Sequence, residues 1–389
     1  MPKIAALLWL VTASALTLLL VSACGGNGAD NPFRVRSEVV TAADNPFALA
    51  FAPDGRLFYA ERIKGNIRVV KPDGRVEPEP FAHLNVSAVI DWGLTGLAID
   101  PDFERNHYVY AYYTEPVKEG PPPIGRPVVI RFTDRDNRGE DPTVIIGDLP
   151  ETVPNHEGFN ANGSIHFGPD GLLYLTVGDY DTTDRPRDLS TAVGKVLRVD
   201  KSDGSPAPGN PFLNDPSADP RIFAYGFRRA FNFAFPPGTD SLYGTDHTPV
   251  SCEEINIVEA GKDYGWAAVG EFPWSDCQAG SQVPAIHLLS KEGARPQDFL
   301  SPVVVTGMEF VSAEDYPTLA DSLLVCASLT KQMRRLLLTG SGLNQVSSDD
   351  EVIDDCQFDI ATSPDGTLYY SNESEIRRLL FEPSAKPES

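Results

Sequence analysis

Phe51-Ala52-Pro53-Asp54-Gly55-Arg56-Leu57-Phe58 returns as Phe167-Gly168-Pro169-Asp170-Gly171-Leu172-Leu173-Tyr174 and again as Ser363-Pro364-Asp365-Gly366-Thr367-Leu368-Tyr369. A degenerate copy runs from Phe235 through Pro236, Pro237, Gly238, Thr239, Asp240 and Ser241 to Leu242-Tyr243. Each copy reads as strand, tight turn, strand: proline presets φ at the turn entry, aspartate caps it and glycine takes the left-handed position. Short runs rich in branched and aromatic residues fill the intervals: Phe47 to Phe51, Leu57 to Ala60, Ile67 to Val70, Leu94 to Ile99, Tyr108 to Tyr113, Val128 to Phe132 and Val144 to Ile146. No helical period is sustained, so the pattern is all-β. A blade of about 60 residues accounts for the spacing of the copies and predicts a six-bladed β-propeller of four-stranded antiparallel blades. A large β-sandwich or an irregular β-helix is the competing arrangement.

Outside this pattern the chain begins with Lys3 and an apolar run from Ile4 to Val21 that ends in Val21-Ser22-Ala23-Cys24. Such a run is long enough to cross a bilayer. Small residues directly before a cysteine point instead to cleavage and lipidation at Cys24. The expected organisation is a leader over 1–23, a lipidated cysteine and tether over 24–40, and a propeller over 41–383. The product would be exported, anchored to the cell membrane or outer envelope through its lipid, and turned to the periplasm or exterior.

The whole chain carries a formal charge of −23, one unit more negative once Lys3 leaves. That surface repels polyphosphates and argues against nucleic acid as a partner. A small neutral or cationic ligand, or a divalent cation, is easier to accommodate. An exported location permits disulfides, and the shortest loops pair Cys252 with Cys277 and Cys326 with Cys356. The Pro-rich stretch Pro116 to Pro127 reads as a surface loop. No edge strand is left to pair, so a monomer is expected.

Three polar clusters stand out. Asn155-His156-Glu157-Gly158-Phe159-Asn160 is too rich in Asn and Gly for a strand, which places His156 and Asn160 at a loop end. His166, inside the strand that follows, reads as structural. Arg228-Arg229 sits in an aromatic run, where guanidinium groups need anions or carbonyls. Asp246-His247-Thr248-Pro249, followed by Glu253-Glu254, brings carboxylates and loop carbonyls together in a way that suits calcium.

On these residues the chain resembles the glucose/sorbosone dehydrogenase family, six-bladed propellers that include pyrroloquinoline-quinone (PQQ) sugar dehydrogenases. The carriers are Gly93-Leu94-Thr95-Gly96-Leu97-Ala98-Ile99-Asp100-Pro101-Asp102-Phe103, Ile165 to Gly171, Val177-Gly178-Asp179, Gly194 to Asp200, Tyr225-Gly226-Phe227-Arg228, and Glu254 to Trp266. The resemblance runs from about Asn45 to Leu380. It implies oxidation of an aldose or related sugar alcohol, with PQQ and calcium as cofactors, a sugar as substrate and a membrane or periplasmic electron acceptor.

By the same resemblance Arg228 faces the quinone carbonyl, Asn160, Arg229 and Lys331 lie at the cofactor, and the carbonyls of Thr248 and Pro249 hold calcium. Asn160 stands where the family has its catalytic histidine. An amide cannot act as a base near neutral pH, so His156 is the candidate base. Cys356-Gln357-Phe358-Asp359 stands where the family has Arg-x-Arg-Asp. These departures keep two other readings open: a non-catalytic tethered propeller that binds saccharide or protein, and a calcium-dependent hydrolase.

Overall fold

A computed structural model describes residues 33, 35–152, 160–161, 163–247, 253–266, 280–289, 303–311 and 316–381. Six four-stranded antiparallel sheets make up the domain, and consecutive innermost strands pack side by side around a ring. This is a six-bladed β-propeller, as the repeated turns predict. Blades one to five occupy 46–83, 94–146, 165–225, 233–289 and 305–354. The sixth takes three strands from 360–381 and its outer strand from Val35–Ala42, which pairs with Glu375–Phe381 in the register Val35 to Phe381 and Ala42 to Glu375.

Each Pro-Asp-Gly copy joins an innermost strand to the second strand of its blade. Gly55, Gly171 and Gly366 have φ of 85, 73 and 84°, and the aspartate before each accepts the N–H two residues on, as Arg56 N donates to Asp54 Oδ1 at 3.1 Å. The degenerate copy makes the same connection between Phe233–Ala234 and Leu242–His247. Blades two and five make it differently; in blade two a single helical turn, Phe103–Asn106, takes its place.

Two boundaries differ from the sequence reading. Val35–Ala42 is strand and takes in residues assigned to the tether. Most of the Pro-rich stretch is a hairpin, because Tyr108–Lys118 and Ile124–Arg135 continue into it. Those strand ends, Glu115 to Lys118 and Ile124 to Pro127, are interrupted by proline, glycine and charged residues, so a search for apolar runs stops short of them.

Buried apolar side chains fill the spaces between blades. The rings of Phe58, Phe81, Phe103 and Phe132 meet edge to face between blades one and two. Cys326 and Cys356 form a disulfide with Cα atoms 5.2 Å apart, joining blade five to the entry of blade six. Cys252 and Cys277 lie outside the described residues. Among the described residues no helix is long and apolar enough to cross a membrane.

Closing a loop of 30 residues contributes about 2–4 kcal/mol by restricting the unfolded chain. Replacing Cys326 and Cys356 together with serine is expected to lower the oxidised protein's melting temperature by several degrees. Reductant should then have a smaller effect on the variant than on the parent, which calorimetry with and without dithiothreitol measures.

Candidate active site

Antiparallel blades put the loop before each innermost strand and the turn between second and third strands at one end of the ring. Asp91, Asn160, Asp179, Arg228, Arg229, Lys331 and Cys356 to Asp359 all belong to such connections, and Asp246 lies near the end of the strand Leu242–His247 that leads into one. They surround the mouth of the central channel.

Two glycines decide how the mouth is built. The segment 261–266 climbs beside Ile222–Tyr225 through backbone hydrogen bonds, Tyr225 N to Lys262 O and Trp266 N to Gly226 O among them. Gly226 lies at φ 81°, and a Cβ there would meet Asp263 Oδ1 at 2.2 Å. Its bare backbone lets the segment carry Trp266 up to Arg228, whose guanidinium carbon sits 5.5 Å from the indole centroid. Gly178 does the same for Asn160, since a Cβ would meet Asn160 O at 1.9 Å.

Asn160 adopts φ 56°, which asparagine tolerates, and it links two carboxylates. Its N–H donates to Asp91 Oδ2 at 2.9 Å and its Nδ2 to Asp179 Oδ1 at 2.9 Å. Asp179 Oδ2 also accepts Trp266 Nε1 at 2.7 Å. Burial pushes the Asp179 carboxyl up to about 6, against the opposing pull of Arg228 and the hydrogen bonds from Asn160, Asp181 and Trp266.

The adjacent arginines face different tasks. Both of their backbone N–H groups bind the buried Asp246 carboxylate, at 3.0 Å from Arg228 and 2.7 Å from Arg229. Burial raises the Asp246 carboxyl, against these hydrogen bonds. The half-buried Arg228 gives one Nη1 hydrogen bond to His247 O at 3.0 Å. Arg229 pairs with Asp91 Oδ2 at 2.6 Å and lies 4.1 Å from the Phe231 centroid. Burial lowers both the Arg229 guanidinium and the His247 imidazole from their ordinary ranges. His247 Nδ1 meets Glu253 Oε2 at 2.6 Å, and Glu253 Oε1 accepts Val305 N at 2.7 Å.

Elsewhere on the rim, Lys331 is half-exposed, its ammonium 3.9 Å from Glu373. Phe358 packs against Phe47 with ring centroids 5.2 Å apart. His156, Thr248 and Pro249 lie outside the described residues. Among the described residues no three His, Cys, Asp or Glu side chains are grouped to hold a metal ion. His166 sits deeper in the channel, its Nε2 2.8 Å from Asn232 Oδ1. Sequence reasoning missed Asp91, Asp179 and Trp266 as participants: it quoted the last two only inside motifs, and nothing local marks Asp91.

The sequence profile of the family described as Glucose / Sorbosone dehydrogenase matches residues 43–380. The chain belongs to this family. Aldose sugar dehydrogenase YliI of Escherichia coli is 27% identical, over 90% of this chain and 93% of that one. Quinoprotein glucose dehydrogenase B of Acinetobacter calcoaceticus is 27% identical, over 60% of this chain and 52% of its own length. A solved oxidoreductase (glucose dehydrogenase) of Thermus thermophilus has a TM-score of 0.71 at 29% identity, covering 89% of this chain and all of that one. In this glucose/sorbosone dehydrogenase family member the Asp91–Arg229 pair is where Arg229 is spent.

Asp179 ionises next to an indole whose N–H it holds. Tryptophan emission is therefore expected to change with a midpoint near pH 6, the hydrogen bond weakening as the carboxylate takes up its proton. Trp266→Phe should remove that transition from a fluorescence titration.

Proposed function

We propose that the protein is a sugar oxidoreductase that oxidises an aldose or related sugar alcohol with PQQ as electron acceptor. The observation that carries this reading is Arg228: in a chain of this family, a half-buried guanidinium at the channel mouth is fixed by His247 O and Trp266. A carbonyl that gains negative charge at that point would meet a preorganised donor in a site of low dielectric, the arrangement that stabilises oxyanions.

The donor set fits a ligand bearing carbonyls and carboxylates. Arg228 would face a ring carbonyl, and Lys331, with its ammonium half-exposed, would meet a carboxylate. Calcium, if carried, would be held through the backbone carbonyls of Thr248 and Pro249. When bound, the quinone supplies a two-electron sink. The protein's part is to orient: Asp246 locks the Arg228 and Arg229 backbone, and Trp266 is set by Asp179 through one hydrogen bond and by Gly226 through another. Localisation at the envelope through a lipid on Cys24 fits an acceptor in or near the membrane, and belongs to the same proposal.

Positions 356 and 358 favour a second reading. Cys356 is spent on a disulfide and Phe358 on packing with Phe47, so neither supplies a cation to an anionic cofactor. A propeller that binds saccharide without oxidising it follows if the cofactor fails to bind.

Titrating purified apoprotein with PQQ and calcium, by cofactor absorbance, tests both readings. Saturable binding with dye reduction on adding an aldose is expected. Arg228→Gln should then lower kcat about 10²–10³-fold, the cost of removing one oxyanion donor. Saccharide binding without PQQ binding would replace the first reading with the second.

A further inference from the structure

Three buried atoms at the mouth have no hydrogen-bond partner among the described residues: Asp91 Oδ1, Asn160 Oδ1 and Arg229 Nε. They belong to one linked group. Asp91 Oδ2 receives the Asn160 N–H at 2.9 Å and the Arg229 Nη2 at 2.6 Å. The carboxylate is thus pinned through one oxygen while the other keeps its lone pairs. Asn160 Nδ2 is committed to Asp179 Oδ1 at 2.9 Å, which leaves only the amide oxygen to offer. Each unanswered buried group costs about 1–3 kcal/mol. The hydroxyl of an alcohol carries one proton and two lone pairs, so it can give that proton to one of these acceptors, Asp91 Oδ1, while its oxygen accepts from a donor.

We propose that Asp91 is the catalytic base of this site, its Oδ1 accepting the hydrogen bond of the substrate hydroxyl and taking that proton as the alcohol is oxidised. This rests on the sugar-oxidoreductase reading above. The O–H bond breaks as an Oδ1–H bond forms, and the oxygen's electron pair becomes the second carbon–oxygen bond. The hydrogen on the same carbon leaves with its electron pair to the quinone acceptor. Asn160 is a positioning residue: its backbone N–H holds Asp91 through Oδ2. Where the family places a histidine, this chain has an amide that cannot carry a proton and, hydrogen-bonded to it, a carboxylate that can.

The charges around Asp91 are compatible with the role. Burial raises its carboxyl above the ordinary aspartate range, while Arg229, the Asn160 N–H and Arg62 pull it down. Asp179 and Glu253 act on Arg229 in turn. A carboxylate with raised proton affinity is the more effective base near neutral pH.

The test reconstitutes the unaltered protein, Asp91→Asn, Arg229→Gln and His156→Gln with PQQ and calcium and follows dye-linked aldose oxidation across pH. Asp91→Asn is expected to lower kcat at least 100-fold, the usual contribution of a positioned base, its one amide oxygen staying on the Asn160 N–H and Arg229. Arg229→Gln removes a cation beside the carboxylate, so the acid limb of kcat should move to higher pH. Infrared spectra of the apoproteins give a readout independent of turnover. One protonated-carboxyl band that titrates in the unaltered protein should be missing in Asp91→Asn and should titrate at higher pH in Arg229→Gln. If Asp91→Asn does not fold, the Arg229→Gln limb and band decide.

Turnover that survives in Asp91→Asn, an acid limb unmoved in Arg229→Gln, or loss of turnover in His156→Gln alone would overturn the assignment of the base and leave the oxidoreductase reading standing. No oxidation by the unaltered protein would overturn both.

Discussion

The structure depends on one strand pairing. Val35–Ala42 comes from the start of the described chain and Glu375–Phe381 from its end, and their ladder completes the sixth blade. A ring of blades buries its faces only when every blade has two neighbours. Without that ladder blade six would have three strands. Every connection at the mouth is held in place relative to the others by this closure, because the groups that meet there come from different blades.

Within the ring, the mouth is organised around buried carboxylates that bind backbone N–H groups. Asp246 takes the amides of both Arg228 and Arg229, Asp91 takes that of Asn160, and Glu253 takes that of Val305. An anion is expensive to bury unless hydrogen bonds and counter-charges answer it. Here those bonds also fix the loops that carry the arginines. The acidity that makes the whole chain strongly negative is therefore partly structural, turned inward where it orients cations.

Much of the fold was legible because its signal is local and repeated. Pro53-Asp54-Gly55 and its copies mark hairpins by φ preference and side-chain capping alone, and repetition converts hairpins into blades. The facing ends of Tyr108–Lys118 and Ile124–Arg135 were hidden because Pro116, Gly125 and Pro127 interrupt the apolar pattern there. The arginines and Asn160 could be picked out by residue type and by family likeness. Asp91 could not: it is one of 55 acidic residues, and only the fold brings it against Arg229, far along the chain. Arg229 looked available to a ligand because its counter-ion is invisible in one dimension.

The register that seals blade six also sets the chain's handles. Ala42 and Glu375 sit at the mouth end of their strands, and Val35 and Phe381 at the other end. Anything joined before Val35 or after Phe381, whether an affinity tag, a fused electron-transfer module or a chemical link to an electrode, starts from the face opposite the mouth. A link made at Val35 or Phe381 can thus hold the molecule in a device and still present its channel to a dissolved sugar.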